Sequence, residues 1–288
     1  MKVLITGAKG MLGQMIAEVL NDKYELILTD REEMDITEAK CVNNLVKTMN
    51  PQVIVHTAAY VDVEKAEGER ELAKKINIEG SRNIAKAAEA VKATIINIST
   101  DYVFDGKKRT AYRETDPVNP LGVYGDSKLK GECEIIKGCS KAYSLRVSWL
   151  YGEHTSRNFV QKMIELAKKN GELKVIDDQI GSPTYTRDVA EVIKKIICRI
   201  EKGHPISYGI YHLSGKGETS RFVFTKNILR LAQQKARLVP VKSSEFLTIA
   251  KRPDYSYLDK SKLEKALGIK IRSWQAMLRE YFRKVRQK

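Results

Sequence analysis

The feature that most restricts how this chain can fold is a glycine-rich turn that directly follows an apolar segment. Residues 3–6 (Val-Leu-Ile-Thr) are typical of a buried strand, and Gly7, Gly10 and Gly13 follow at once. Apolar residues then recur with helical spacing over 11–20. A strand, a glycine turn and a helix in this order are typical of a dinucleotide-binding βαβ unit. We expect the three glycines to permit, in turn, a tight turn, the approach of a pyrophosphate and close packing of the helix on the strand.

The glycine spacing is Gly-x-x-Gly-x-x-Gly, one residue longer than the Gly-x-Gly-x-x-Gly form. A second predicted strand, 25–29, ends at Asp30 and Arg31. An acidic residue at this place accepts hydrogen bonds from the adenosine ribose hydroxyls, which favours NAD. An adjacent arginine can hold a 2′-phosphate, which favours NADP. The sequence therefore predicts a nicotinamide cofactor, NADH or NADPH, without ranking the two.

Two further segments adjoin this predicted site. Asp35 and Ile36 precede a helical stretch for which Thr37 is a candidate N-cap, so this segment either lines an adenine or only caps a helix. A third predicted strand, 51–57, ends at Ala58 and Ala59. The small side chains there would let a cofactor lie against the backbone.

Tyr124 and Lys128 lie four residues apart in a predicted helix over 122–137 and so project from the same face. A free tyrosine has a pKa of about 10 and is a poor acid–base catalyst near neutrality. A nearby lysine cation favours the phenolate and is expected to lower that pKa. Such a pair can pass a proton to a carbonyl oxygen as a hydride reaches its carbon. Two solvated helix residues would show the same spacing, so the inference depends on the accompanying glycine turn.

Predicted strands and helices alternate through the first half of the chain. This alternation predicts an α/β fold, a doubly wound, Rossmann-like parallel sheet with helices on both faces. Ligands of such sheets bind at the carboxyl ends of the strands, where we expect Ser99, Thr100, Asp101 and Trp149. Thr100 and Asp101 would equally suit a turn or a helix cap. The remaining predicted elements are strands 94–99, 142–148, 173–176 and 208–213 and helices 64–75, 77–91, 158–170 and 186–201.

The alternation weakens after residue 151. We therefore predict a dinucleotide-binding domain over 1–150 and a smaller C-terminal substrate-binding lobe over 151–288, with some chain crossing back to the sheet. The segment 177–184 is loop-like. A chain of 288 residues suits one doubly wound domain with an appended lobe better than two independent domains.

The net charge of +15 raises the question of nucleic-acid binding. The basic residues are spread over predicted helix faces, and no helix-turn-helix, zinc-finger or RNP signature is evident. An anionic cofactor and an anionic substrate are the simpler explanation, so we expect no nucleic-acid partner. A homodimer is compatible with the sequence.

Features that the sequence lacks bear on the compartment and on the metal content of the protein. No stretch approaches the roughly 18 apolar residues of a membrane span, and the first strand begins at once, so we expect no signal peptide and no membrane partner. The four cysteines have no metal-ligand spacing, so no metal is expected. Their scatter suits a reducing cytoplasm, where we expect the protein to act.

The glycine turn, the Tyr-x-x-x-Lys pair and the upstream Ser/Thr resemble the extended short-chain dehydrogenase/reductase family, most of whose members act on nucleotide sugars. Over nearly the whole chain the sequence is similar, more narrowly, to a branch that reduces the 4-keto group of a dTDP-linked sugar. Some relatives with this signature are non-catalytic regulatory subunits, and others are reductases or epimerases of different nucleotide sugars. The segments that carry the narrower resemblance are 99–106 (Ser-Thr-Asp-Tyr-Val-Phe-Asp-Gly), 120–132, 146–152 and 178–184.

The resemblance implies roles for individual residues. Tyr124 is the proton donor, Lys128 orients the nicotinamide ribose, and Thr100 hydrogen-bonds the reacting oxygen. All three positions match the family pattern, which argues against a regulatory subunit. The residues expected to meet the substrate are Thr100, Asp101 and Trp149. The residues expected to line the cofactor are Gly7, Gly10, Met11, Leu12, Gly13, Asp30, Arg31, Asp35, Ile36, Ala58, Ala59, Tyr60, Ser99, Tyr124 and Lys128.

Overall fold

The structure, a computed structural model, describes residues 1–155 and 158–287. Its strands are β1 (Lys2–Thr6), β2 (Glu25–Thr29), β3 (Val53–His56), β4 (Thr94–Thr100), β5 (Ala142–Val147), β6 (Leu150–Tyr151), β7 (Glu172–Ile176), β8 (Ile180–Gly181), β9 (Thr184–Tyr185), β10 (Gly209–Leu213), β11 (Thr219–Ser220) and β12 (Arg237–Val241). Its helices are α1 (Met11–Leu20), α2 (Ala39–Met49), α3 (Val63–Ala66), α4 (Arg70–Lys74), α5 (Ser81–Ala90), α6 (Val123–Gly138), α7 (Phe159–Lys169), α8 (Thr186–Glu201), α9 (Arg221–Ala232), α10 (Ser261–Leu267) and α11 (Trp274–Arg286).

Six parallel strands form the central sheet in the order β10-β5-β4-β3-β1-β2. Successive residues of a strand face opposite sides, and each side has its own apolar core. In β1, Val3 and Ile5 belong to one buried cluster and Leu4 to the other. Because both faces are covered by helices, the strands are nearly continuous apolar runs. The predicted doubly wound, Rossmann-like fold is confirmed.

Strand β10 comes from the C-terminal half of the chain but lies at one edge of the central sheet. It pairs in parallel with β5, with Tyr211 opposite Leu145. The C-terminal half therefore completes the sheet as well as packing beside it. The smaller two-stranded sheets β8–β11, β7–β12 and β6–β9 lie beyond residue 149.

Three local predictions differ from the structure. Thr37 is not an N-cap, because its N–H and hydroxyl both donate to Asp35 Oδ1 (2.9 and 2.8 Å) and α2 begins only at Ala39. The helix predicted over 64–75 is divided into α3 and α4, and residues 75–80 form a π-helical turn before α5. The loop predicted over 177–184 contains the short strands β8 and β9.

Helix α6, which carries Tyr124 and Lys128, is fixed to the sheet by a buried ion pair. Arg146 Nη2 of β5 lies 2.6 Å from Glu132 Oε1 of α6, and both side chains are almost fully buried. The hydroxyl of Ser144 donates to Glu132 Oε2 at 3.1 Å. These contacts hold the helix in one register against the strands. Among the helices of the described residues, none is both long and apolar enough to cross a membrane.

Candidate active site

A cleft of about 870 Å³ opens at the carboxyl ends of the parallel strands. It extends from the glycine turn after β1 to the start of α9, as expected for ligands of an open α/β sheet. Seventeen residues proposed from the sequence line it: Gly7, Gly10, Met11, Leu12, Gly13, Asp30, Arg31, Asp35, Ile36, Ala58, Ala59, Ser99, Thr100, Asp101, Tyr124, Lys128 and Trp149.

Tyr60 is the expected cofactor residue that does not line this cleft. Its hydroxyl donates to Glu69 Oε2 at 2.9 Å, and its main-chain N–H donates to Asn77 Oδ1 at 2.8 Å. The phenol is thus engaged with α4's N-cap residue instead of the cleft. A contact between Tyr60 and the cofactor therefore stays a prediction from the resemblance.

The glycine turn has the shape that a pyrophosphate requires. Gly7 adopts φ +65°, and a Cβ there would lie 2.8 Å from the backbone of Ala58. A Cβ on Gly13 would lie 2.3 Å from Gly7 O, so only glycine lets α1 pack this close to the turn. Gly10 is the N-cap of α1 and contributes no side-chain cap. The free N–H groups and the dipole of the ten-residue helix therefore face the cleft and favour an anion.

The carboxylate of Asp30 is held by the main chain at the end of β2. Its Oδ2 accepts the N–H of Lys9 at 3.0 Å and its Oδ1 accepts the N–H of Arg31 at 2.9 Å. Arg31 is mostly exposed, with Nε 3.6 Å from Asp35 Oδ2. Burial raises the pKa of Asp35, but hydrogen bonds from Thr37 outweigh it, and the net pKa is lowered. An acidic group suited to ribose hydroxyls and an exposed cation suited to a 2′-phosphate are therefore both present.

Lys128 is buried beneath the cleft, and its Nζ donates to Ile98 O of β4 at 2.7 Å. Burial lowers the pKa of Lys128 to about 8, against the attraction of Glu132. Burial also raises the pKa of Tyr124, while the hydroxyl of Thr100 lowers it in part. The expected lowering of the tyrosine pKa by Lys128 is not found, because desolvation of the phenol dominates and the ammonium is directed at Ile98. Tyr124 consequently holds its proton at neutral pH.

Thr100 and Asp101 begin a buried polar group at the end of β4. Thr100 caps a short 3₁₀ turn by accepting the N–H of Tyr102 at 3.2 Å, so the capping role suggested by the sequence is real. Its hydroxyl lies beside the phenol of Tyr124 as well. Asp101 accepts the hydroxyl of Ser148 at 2.8 Å, and burial raises the pKa of this carboxyl. One threonine thus serves both the local turn and the cleft.

Trp149 adopts φ +46°, a left-handed conformation that is uncommon for a bulky residue. A Cβ on Gly181 would lie 2.6 Å from the indole, so glycine is needed for the ring to occupy this place. The guanidinium carbon of Arg221 lies 3.4 Å from the centre of the indole. Strand β11 pairs with β8, with Thr219 opposite Gly181. This pairing places Gly181 and Arg221, the two neighbours of Trp149, next to its ring.

Sequence reasoning did not identify Arg221, Tyr102 or Phe159 as cleft residues, although all three line it. Gly181 lies within the segment 178–184, which carries part of the family resemblance. This segment is the feature of the sequence that points to the surroundings of Trp149. Arg221 lies outside every motif. Among the described residues, no cluster of three or more His, Cys, Asp or Glu side chains could hold a metal ion.

Three features define an extended short-chain dehydrogenase/reductase: a doubly wound sheet, a glycine turn at the first βα junction, and a threonine at a strand end beside a tyrosine and a lysine of one helix. More narrowly, the chain belongs to the RmlD substrate binding domain family, whose model matches residues 1–287.

Relatives of this chain carry consistent names. The dTDP-4-dehydrorhamnose reductase of Aggregatibacter actinomycetemcomitans is 40% identical over 286 residues, which cover 96% of this chain and 97% of that protein. A solved dTDP-4-dehydrorhamnose reductase from Clostridium acetobutylicum is 42% identical with a TM-score of 0.94, covering 99% of this chain and 100% of the other. The enzyme of that name from Bacillus anthracis, solved in complex with NADP, is 39% identical with a TM-score of 0.93, covering 98% and 99%.

Proposed function

We propose that this protein reduces the 4-keto group of dTDP-4-dehydro-L-rhamnose to the alcohol of dTDP-L-rhamnose, with NADPH or NADH as reductant. The observation that carries the proposal is that Thr100, Tyr124 and Lys128 meet in the same cleft as the glycine turn. The names of the relatives at 39–42% identity supply the substrate.

The side chains of the cleft suit carbonyl reduction. Because burial raises its pKa, Tyr124 is a neutral phenol that can donate a proton to the carbonyl oxygen. The hydroxyl of Thr100 can donate a hydrogen bond to the same oxygen as negative charge develops there. Lys128, still cationic at neutral pH, would orient the nicotinamide ribose. When bound, the reduced nicotinamide supplies the hydride to the carbonyl carbon.

The fit of the dinucleotide rests on residues already described. The glycine turn and the first turn of α1 would hold the pyrophosphate, and Asp30 and Arg31 would contact the adenosine ribose. Ala58 and Ala59 would lie against the cofactor, since their small side chains leave the backbone accessible. On the other side of Tyr124, we propose that Thr100, Asp101 and Trp149 contact the sugar.

The direct test is to incubate the purified protein with NADPH and dTDP-4-dehydro-L-rhamnose and to follow the loss of reduced-nicotinamide absorbance. We expect stoichiometric oxidation and formation of dTDP-L-rhamnose, identified by mass spectrometry and NMR. The matched control is Tyr124→Phe at the same concentration. Binding of NADPH without oxidation across several nucleotide 4-keto sugars would instead indicate a regulatory subunit.

Three further proposals concern the setting of the enzyme. We propose that residues 1–150 form the dinucleotide-binding domain and that 151–288 form a substrate-binding lobe beside Thr100, Asp101 and Trp149. We also propose that the protein acts in the cytoplasm and that two copies associate. Light scattering coupled to size exclusion tests the dimer. We also expect no steeply salt-dependent binding to duplex DNA or RNA, the behaviour that distinguishes a nucleic-acid partner from a basic enzyme.

A further inference from the structure

Arg221 occupies a defined place on the wall of the cleft. It is the first residue of α9 and directly follows β11, whose pairing with β8 fixes the path of the chain. The N-cap Ser220 accepts the N–H of Val223 at 3.1 Å, so the helix start is well anchored. Arg221 lines the cleft together with Thr100, Asp101 and Trp149, the residues proposed to contact the substrate.

The guanidinium of Arg221 is held by aromatic rings and the side chain of Tyr102, and no carboxylate of the described part of the chain contacts it directly. Its central carbon lies 3.4 Å from the ring centre of Trp149 and 5.0 Å from that of Phe159. Stacking uses the flat face of the group and leaves the N–H donors at its edge. Across residues 1–155 and 158–287, no carboxylate oxygen lies within 4.0 Å of Arg221, whereas Arg146 and Arg252, also shielded from solvent, each have a glutamate partner.

The charge environment of Arg221 favours a bound anion. Burial lowers its pKa to about 10, the nearby Tyr102 and Asp101 raise it, and repulsion from Arg252 lowers it again. The group stays cationic at neutral pH. A shielded cation with no carboxylate in direct contact is costly, and an anionic ligand offsets that cost. Arginine also presents its donors in a fork that matches phosphate oxygens.

We propose that Arg221 binds the diphosphate of the nucleotide-sugar substrate through its edge N–H groups while its face rests on Trp149. This deepens the proposed function and rests on it for the identity of the sugar. The cofactor also contains phosphates, but the glycine turn and α1 already form a site for its pyrophosphate. Arg221 instead adjoins the residues proposed for the substrate. The arrangement makes Arg221 a residue that selects diphosphate-linked sugars over free sugars.

The test measures binding by isothermal titration calorimetry and requires no turnover. The probes are dTDP, thymidine and NADPH, and the proteins are wild type, Arg221→Gln, Arg221→Lys and the control Arg230→Gln. Arg230 lies on the same helix but is exposed and hydrogen-bonded to Asn227. We expect Arg221→Gln to weaken dTDP binding about tenfold to a hundredfold, the range for a charged hydrogen bond. Arg221→Lys should lose less, and thymidine and NADPH affinities and all Arg230→Gln values should stay unchanged.

Three outcomes would overturn the inference. An unchanged dTDP affinity in Arg221→Gln would mean that the guanidinium does not meet a phosphate. An equal loss of NADPH affinity would place the contact on the cofactor. An equal loss of thymidine affinity would show that Arg221 only supports Trp149. Because binding is measured directly, a selective loss of dTDP affinity supports the inference even if dTDP-4-dehydro-L-rhamnose is not reduced and the proposed function fails.

Discussion

The ammonium group of Lys128 on α6 donates a hydrogen bond of 2.7 Å to the carbonyl oxygen of Ile98 on β4. Thr100 lies two residues further along the same strand, at its carboxyl end. This hydrogen bond ties the helix of the tyrosine and lysine to the strand of the threonine. Together with the buried pair Glu132–Arg146, it sets the relative positions of all three groups.

Lys128 should make stability depend on pH. Its pKa is about 8 in the folded protein and about 10.5 when unfolded, so between these values the unfolded chain binds more protons. Stability of the wild type should therefore rise with pH through this window, relative to Lys128→Met. The measurement is urea unfolding of both proteins at about pH 7.5 and pH 10. The control Lys130→Met removes an exposed lysine of the same helix, and its stability relative to wild type should not change with pH in this way. The prediction would be contradicted if the wild type and Lys128→Met differed in unfolding free energy by the same amount at both pH values.

Tyr124→Phe removes only the phenolic oxygen. General acid catalysis contributes roughly 10²–10⁴-fold, so turnover should fall by that order while the NADPH dissociation constant stays the same. Thr100→Val should cost less, about 1–3 kcal/mol of transition-state stabilisation for one hydrogen bond. Steady-state kinetics and fluorescence titration give both quantities. The control is Tyr60→Phe, whose phenol is bonded to Glu69 outside the cleft lining; a Tyr124→Phe enzyme with more than about a third of wild-type turnover would disprove the assignment.

Cofactor preference should be weak. Asp30 suits the ribose hydroxyls of NADH and Arg31 suits the 2′-phosphate of NADPH, so kcat/KM should differ by less than about tenfold, or roughly 1.4 kcal/mol. Arg31→Ala should reduce kcat/KM with NADPH and leave that with NADH nearly unchanged. A hundredfold discrimination by the wild type in either direction would be incompatible with this balance.

The bounds of several elements and most of the cleft lining could be predicted from the sequence for a physical reason. Strand β2 and helix α8 have the predicted bounds because the apolar periodicity of each segment indicates which of its faces is buried. Parallel strands end at one edge of the sheet, so residues that follow different strands, such as Thr100 and Trp149, come together without any knowledge of the loops.

What the sequence could not provide depends on contacts between distant segments. Arg221 follows a two-residue strand, and only its pairing with Gly181's strand brings it to Trp149. The pKa of Tyr124 is set by desolvation of the phenol, and the i, i+4 spacing of two helix residues gives no information about burial. Threonine is a common N-cap residue, but Thr37 instead donates two hydrogen bonds to Asp35, because local hydrogen bonds compete with helix initiation.

Gly181→Ala should disturb substrate binding and spare the cofactor. The added methyl group would lie 2.6 Å from the Trp149 ring, so the indole has to move. We expect KM for the nucleotide sugar to rise, turnover to fall and tryptophan fluorescence to shift, with the NADPH dissociation constant unchanged. Gly171→Ala is the matched control, since a Cβ there meets nothing within 4 Å. Equal kinetics for the two variants would show that the Trp149 position is unimportant.

The buried pair Glu132–Arg146 should be far more important to stability than the partly exposed pair between Glu134 of the same helix and Arg82 of α5. Removing one partner with Glu132→Gln or Arg146→Met leaves the other buried and unpaired, and should cost about 3–5 kcal/mol of unfolding free energy. Arg82→Met, which breaks the partly exposed pair with Glu134, should cost less than about 1 kcal/mol. Urea unfolding measures all three. Similar losses for the buried and the exposed pair would contradict the role of Glu132 in anchoring α6.

The placement of β10 at the edge of the central sheet affects how the protein is made. During translation the strands up to β5 leave the ribosome well before residues 209–213, and at usual elongation rates the delay is on the order of several seconds. Throughout that interval β5 presents an unpaired apolar edge that another nascent chain could join. A chain truncated before residue 209 would keep this edge permanently, so residues 1–208 should be recovered poorly by themselves. Completion of the sheet is therefore a late event of biosynthesis, even though four of its strands are encoded within the first hundred residues.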